Sequence, residues 1–85
     1  MELKTLNYTA IFQKEPKGGY TVIVPILPGC VTYGKNLEEA KKMAEEAITL
    51  YLESLKAHHE EIPCEKEVFY TQLNINPLKI RLSYA

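Results

Sequence analysis

The chain has 85 residues, of which 46% are hydrophobic and 25% charged, a length and composition typical of one small globular domain. Ten Lys and Arg residues against eleven acidic residues leave a net charge of −1. This balance excludes the strongly basic character of a general nucleic-acid-binding protein. Every acidic residue is a Glu, which argues against a metal-dependent hydrolase built on clustered Asp carboxylates. We predict a single domain over residues 1–85.

The start of the chain, Met1 to Thr5, has no basic segment followed by an apolar run, so we expect no signal peptide. The apolar runs are far shorter than the roughly 18 residues that span a bilayer. Cys30 and Cys64 lie far apart and form no CxxC motif. We therefore expect reduced thiols, no membrane association and a cytoplasmic location.

Two alternating segments predict a β-hairpin. Residues 6–13 and 20–24 each place apolar side chains at every second position. Gly18 and Gly19 lie in the loop between them and can adopt positive φ angles. The apolar face of the two segments comprises Leu6, Tyr8, Ala10, Phe12, Tyr20, Val22 and Val24.

A third strand is predicted directly after this hairpin. Pro25 ends the second strand because it cannot donate to the ladder. The Pro28-Gly29 pair favours a type II turn, and residues 30–33 are short and β-prone, with Gly34 ending them. The three strands are expected to form an antiparallel meander.

Helical periodicity begins after Gly34. Asn36 is a favourable N-cap, and Glu39 can complete a capping box three residues later. Apolar residues then recur at helical spacing on one face: Leu37, Ala40, Ala44, Ala47, Ile48, Tyr51 and Leu55. The pattern predicts one helix over 37–57, with Pro63 preventing any continuation.

Strand character returns after Pro63. Residues 68–73 and 80–84 are both strand candidates, separated by the turn-forming residues 74–77. The predicted order is β-β-β-α-β, an α+β domain with an antiparallel sheet of three to five strands and one long helix on one face.

One helix covers one face of such a sheet, yet Ile11 and Ile23 lie on the opposite parity from the apolar face. An uncovered apolar face or open edge tends to pair with another chain. We expect a homo-oligomer or a hetero-interface there, most simply a two-fold dimer. The alternative is that long polar side chains shield these isolated apolar residues.

The sequence offers no convincing catalytic or metal site. Residues 58–61 and Cys64 hold the main cluster of potential ligands, but adjacent histidines on a helix diverge and match no zinc spacing. Neither cysteine lies in a catalytic motif, and a pairing of Cys30 or Cys64 with a histidine stays open. Gly18-Gly19 precedes a strand, whereas a phosphate loop opens a helix. We expect no enzyme activity, cofactor or metal.

An ordered set of motifs covers residues 7–63. They are Tyr8-Thr9-Ala10-Ile11-Phe12, Gly19-Tyr20-Thr21-Val22, the run from Pro25 to Gly34, Leu37-Glu38-Glu39-Ala40 and Glu46-Ala47. In this order they resemble the HicB family of antitoxins. The resemblance implies a partial RNase H-like fold and a protein that binds and neutralises HicA, a small mRNA-cleaving toxin. Many family members also carry a C-terminal DNA-binding module, and residues after Pro63 show no such pattern, so DNA binding by this chain is not expected.

We expect a toxin to contact the connection after the second strand, from Pro25 to Thr32, together with the exposed face or edge of the sheet. The predicted partner-binding residues are Pro25, Ile26, Leu27, Pro28, Cys30, Thr32, Ile11 and Ile23. Glutamates on the helix could complement a basic toxin, or form an ordinary solvated face: Glu38, Glu39, Glu45 and Glu46. Two other functions stay open, a stand-alone RNA-binding module and a structural oligomerisation domain.

Overall fold

The structure is a computed structural model that describes residues 6–65 and 68–80. Three strands precede one long helix: β1 (Ile11–Lys14), β2 (Tyr20–Ile23), β3 (Val31–Gly34) and α1 (Leu37–Ala57). A short 3-10 turn follows at Pro77–Lys79. The predicted α+β class, the three-stranded meander and the helix over 37–57 are confirmed.

The sheet is antiparallel throughout, in the order β1-β2-β3. Its register aligns residues of the three strands in rungs that alternate between the two faces of the sheet. Phe12, Val22 and Thr32 form one rung, which faces α1. The neighbouring rung points away from the helix.

The core lies between the sheet and α1 in two connected regions. In the first, Ala40 and Ala44 of the helix pack against Val22, the central residue of the sheet. Their small side chains allow the helix to approach the strands closely. In the second, Val24, Leu27 and Cys30 are buried against the later turns of the helix. The core is thus made by one helix stripe and one sheet face.

The start of α1 is fixed by its cap. The Asn36 side chain accepts a hydrogen bond from the Glu39 N–H at 2.8 Å, and the Glu39 carboxylate accepts one from the Lys35 N–H at 2.8 Å. This is the predicted capping box, with the Glu39 bond made one residue before the N-cap. Gly34 lies directly beneath it, where an added Cβ would be 2.3 Å from the Ala40 backbone nitrogen.

Gly34→Ala is therefore expected to lower the free energy of unfolding by about 1–3 kcal/mol, because the first helical turn must shift to admit a methyl group. Urea unfolding followed by circular dichroism measures the loss. Lys35→Ala, at the exposed next position, is the control and should change stability by less than about 0.5 kcal/mol. Equal stabilities for the two variants would contradict the close contact.

The helix ends in a Schellman motif. His59 adopts a left-handed φ of 57°, its N–H donates to the Lys56 carbonyl, and the Glu60 N–H donates to the Leu55 carbonyl at 2.9 Å. The chain then returns towards the segment before β1, where the Tyr8 hydroxyl donates to the Pro63 carbonyl at 2.6 Å.

A second hydrogen bond holds the chain after the helix against the segment before β1: the Thr9 N–H donates to the Glu65 carboxylate. Burial raises the pKa of the Tyr8 phenol, and the nearby Cys64 and Glu65 raise it further. This shift favours the neutral phenol, the form that donates the hydrogen bond to Pro63. The chain up to residue 65 is thus attached to the sheet next to the start of β1.

The predicted strand at 68–73 is wrong for the isolated chain. Residues 68–80 contain no strand, and all of them are exposed. Strand-forming residues need a ladder partner, and this segment has none within the described part of the chain. Only Ile80 of the other strand candidate, 80–84, lies within the described residues, where it forms a bend.

The radius of gyration of the chain is 17.2 Å, against about 12 Å for a compact domain of this length.

Candidate protein-binding surface

The sheet face opposite α1 carries six side chains, and we call it the open face. It comprises Ile11, Gln13, Thr21, Ile23, Val31 and Tyr33. One rung of this face is wholly aliphatic and crosses all three strands: Ile11 beside Ile23 beside Val31. Ile11 is 46% exposed and Val31 56% exposed. Ile23 lies half-buried between them. A row of β-branched side chains, exposed at both ends, thus crosses the open face.

The next rung of the open face is polar and held by the hairpin loop. The Thr21 hydroxyl donates to the Glu15 carboxylate at 2.6 Å, and the Tyr33 hydroxyl donates to the Gly18 carbonyl at 3.0 Å. The Tyr33 ring covers Gly19, where an added Cβ would lie 2.0 Å from the tyrosine oxygen. These bonds orient the polar side chains beside the aliphatic rung.

Residues 24–30 connect β2 to β3 through two successive turns, and we call them the double-turn loop. The Leu27 N–H donates to the Val24 carbonyl at 3.0 Å, and the Cys30 N–H donates to the Leu27 carbonyl at 2.9 Å. Gly29 has a φ of 83°, the conformation that a type II turn requires after Pro28. The predicted Pro-Gly turn is confirmed.

The inner side of the double-turn loop is anchored in the core. Leu27 is fully buried, and the Tyr51 hydroxyl from α1 donates to the Pro28 carbonyl at 2.7 Å. Burial also raises the pKa of the Cys30 thiol, which keeps it protonated and poorly nucleophilic at neutral pH. The loop is therefore fixed before any partner arrives, which limits the entropy lost on binding.

The structure separates the eight predicted partner-binding residues into three groups. Ile11 and Ile23 lie together on the open face. Pro25 and Pro28 are exposed on the double-turn loop, with Ile26 half-buried. The remaining three are turned inwards: Leu27 and Cys30 lie in the core, and Thr32 lies half-buried on the helix side of the sheet.

The first two groups adjoin each other. The aliphatic rung is the last rung before the double-turn loop, because Ile23 directly precedes the loop and Val31 directly follows it. We call the open face together with Pro25 and Pro28 the candidate surface. Val31 and Tyr33 belong to it although the sequence did not single them out as partner-binding residues. The pairing of Ile23 with Val31 across a seven-residue connection was the signal that could have identified them.

The acidic residues of α1 lie on the other side of the molecule. Glu38, Glu45 and Glu46 are exposed on the helix, which packs against the opposite sheet face, and Glu39 is engaged in the helix cap. A partner seated flat on the open face would not contact these glutamates.

Across residues 6–65 and 68–80, no three His, Cys or Glu side chains are grouped so that they could hold a metal ion. His58 and His59 are both exposed at the helix end, where the His58 Nδ1 lies 2.7 Å from the Ser54 carbonyl oxygen. No helix in these residues has the length and apolarity needed to cross a membrane.

Comparison with known families gives a match over most of the chain. Residues 8–77 match the model of the HicB-like antitoxin of bacterial toxin–antitoxin systems. This chain belongs to the HicB-like antitoxin family. The resemblance recognised from the motifs is thereby confirmed.

Individual relatives agree with this assignment. A UPF0150 protein of Thermoplasma acidophilum is 52% identical over 58 residues, which cover 68% of this chain and 84% of the relative. A UPF0150 protein of Synechocystis is 43% identical over 74 residues, covering 87% of this chain and 86% of that protein. A UPF0150 protein of Helicobacter pylori is 48% identical over 48 residues, 56% of this chain and 65% of its own length.

Proposed function

We propose that this chain is an antitoxin that binds a HicA-like mRNA-cleaving toxin and neutralises it by covering its active surface. The observation that carries the proposal is the aliphatic rung of Ile11, Ile23 and Val31 on the open face, exposed at Ile11 and Val31, in a chain of the antitoxin family. Neutralisation of this kind is stoichiometric binding, and it needs a complementary surface but no reaction.

The candidate surface has the layout expected of a protein-binding interface. Such interfaces have an apolar centre, depleted of charge, and a polar rim. The aliphatic rung supplies the centre. Gln13, Thr21 and Tyr33 supply the adjoining polar rim, and Glu15 adds a negative charge at its end. That carboxylate suits a basic, RNA-binding partner.

A nuclease role is not part of the proposal. Two-metal hydrolysis requires several carboxylates converging on one site, and the open face carries none among its six side chains. The β-β-β-α order supports the partial RNase H-like architecture implied by the family, used here as a binding platform rather than as an enzyme. We also propose that the chain self-associates, that it acts in the cytoplasm and that residues 1–85 do not bind DNA.

Co-expression with the small protein encoded by the neighbouring gene tests this function. We expect the two proteins to copurify and the chain to relieve the partner's growth arrest. In a purified assay, mRNA cleavage should fall in proportion to added antitoxin and cease at a fixed molar ratio, as stoichiometric inhibition requires.

Three results would contradict the proposal. If the two proteins formed no complex and the chain did not relieve the growth arrest, the chain would instead be a purely structural oligomerisation domain. Tight, salt-sensitive RNA binding by the chain alone would favour a stand-alone RNA-binding module. Metal-stimulated cleavage of RNA by the pure chain in Mg²⁺ or Mn²⁺ would show a nuclease.

A further inference from the structure

Residues 68–80, which we call the C-terminal arm, are the largest apolar feature that the candidate surface does not include. Phe69 is 85% exposed, Leu73 79% and Leu78 93%. Four more large apolar side chains of the arm are also exposed: Val68, Tyr70, Ile75 and Ile80. A soluble domain rarely leaves so many neighbouring apolar groups in water, so a contiguous set of this size indicates an interaction segment.

The chain that leads into the arm is attached near an open sheet edge. Pro63 and Glu65 are bonded next to the start of β1, by the Tyr8 hydroxyl and the Thr9 N–H. β1 pairs with β2 on one side only, and no strand within the described residues pairs with its other side. Unpaired N–H and C=O groups on such an edge are ready to accept another strand.

We propose that the arm of one copy adds as a strand to the free edge of β1 in a second copy, giving a two-fold dimer by reciprocal exchange. Residues 68–73 have the composition of a strand, with Val, Phe, Tyr and Thr in succession. Every chain contributes one arm and one open β1 edge. A two-fold arrangement therefore pairs both edges and leaves neither arm free.

A second copy fits the arm better than a basic toxin does. Lys79 is the only charged residue among residues 68–80, and the arm contains no acidic residue. It therefore offers no charge to complement a basic RNA-binding partner, whereas backbone pairing with an identical chain requires none.

The two sides of the arm also suit an added strand. Phe69 and Leu73 share one side and Val68 and Tyr70 the other. A strand that continues this sheet would have apolar groups towards both the helix layer and the open face. The exchange does not depend on the antitoxin function.

Light scattering on the full chain gives the first test. We expect wild type to have twice the monomer mass of 9.7 kDa at micromolar concentration, and the double variant Phe69→Ser/Leu73→Ser to have the monomer mass. Leu50→Ser is the matched control, because Leu50 is 65% exposed on α1 and lies outside the arm, so it should remain a dimer. Helical circular dichroism should be equal in all three proteins, since the substituted side chains lie outside the folded core.

Hydrogen exchange identifies the edge that accepts the arm. The amides of β1 should exchange about tenfold faster or more in the double variant than in wild type, because the added strand protects them. The amides of β3, at the other edge of the sheet, should be unchanged.

Three outcomes would overturn the proposal. A monomeric wild type would mean that the arm folds back on its own sheet or meets another protein. A dimer that survives the double substitution, or one that is lost without any change in β1 exchange, would place the contact elsewhere.

Discussion

Leu27→Ala is expected to lower the free energy of unfolding by about 2–5 kcal/mol, a loss comparable with the total stability of many small domains. Leu27 is fully buried among Val24, Cys30 and the later turns of α1. Removing three carbon atoms leaves a cavity, and the double-turn loop cannot collapse into it readily because two backbone turns and the bond from Tyr51 fix its path. Urea unfolding followed by circular dichroism measures the change.

Leu50→Ala makes the same chemical change at a position that is 65% exposed, and it serves as the matched control. We expect it to alter the free energy of unfolding by less than about 0.5 kcal/mol. If both variants lose the same small amount, Leu27 does not occupy the core and the double-turn loop is not anchored through it.

The elements that sequence reasoning predicted correctly depend on local signals. Asn36 caps its own helix through a bond to Glu39 three residues away. The turn at Pro28 and Gly29 is set by the ring of one residue and the positive φ of the next. Such signals operate within a few residues, so the chain reveals them before its tertiary contacts are known.

The strand predicted at 68–73 shows the limit of that reasoning. Its residues have real strand propensity, but a strand exists only when another strand pairs with it. The pairing edge is a long-range or intermolecular property that propensity does not encode. The segment is therefore exposed in the single chain.

Only part of the candidate surface was predicted, because the rest depends on pairing between residues that are distant in the sequence. Ile11 and Ile23 follow from alternation within a hairpin. Val31 does not, because its face depends on the register across the double-turn loop. Leu27 and Cys30 were expected at a contact because they lie between Pro25 and Thr32, yet the two turns direct both side chains into the core.

Val31→Glu is expected to weaken the complex with the toxin by about 100-fold or more, equivalent to about 2.7 kcal/mol. Val31 lies at one end of the aliphatic rung and is 56% exposed, so the substitution should leave the fold intact while burying an unpaired carboxylate in the complex. Isothermal titration calorimetry with the purified toxin measures the affinity, and relief of growth arrest gives the cellular readout.

Leu50→Glu places the same charge at a comparably exposed position on α1 and should bind the toxin as wild type does. This pair of variants distinguishes the two sides of the molecule, because the open face and the helix face opposite directions. Loss of binding in Leu50→Glu with full binding in Val31→Glu would assign toxin recognition to the acidic helix. Loss in Val31→Glu alone, with unfolding curves of both variants matching wild type, would establish the aliphatic rung as the centre of the contact.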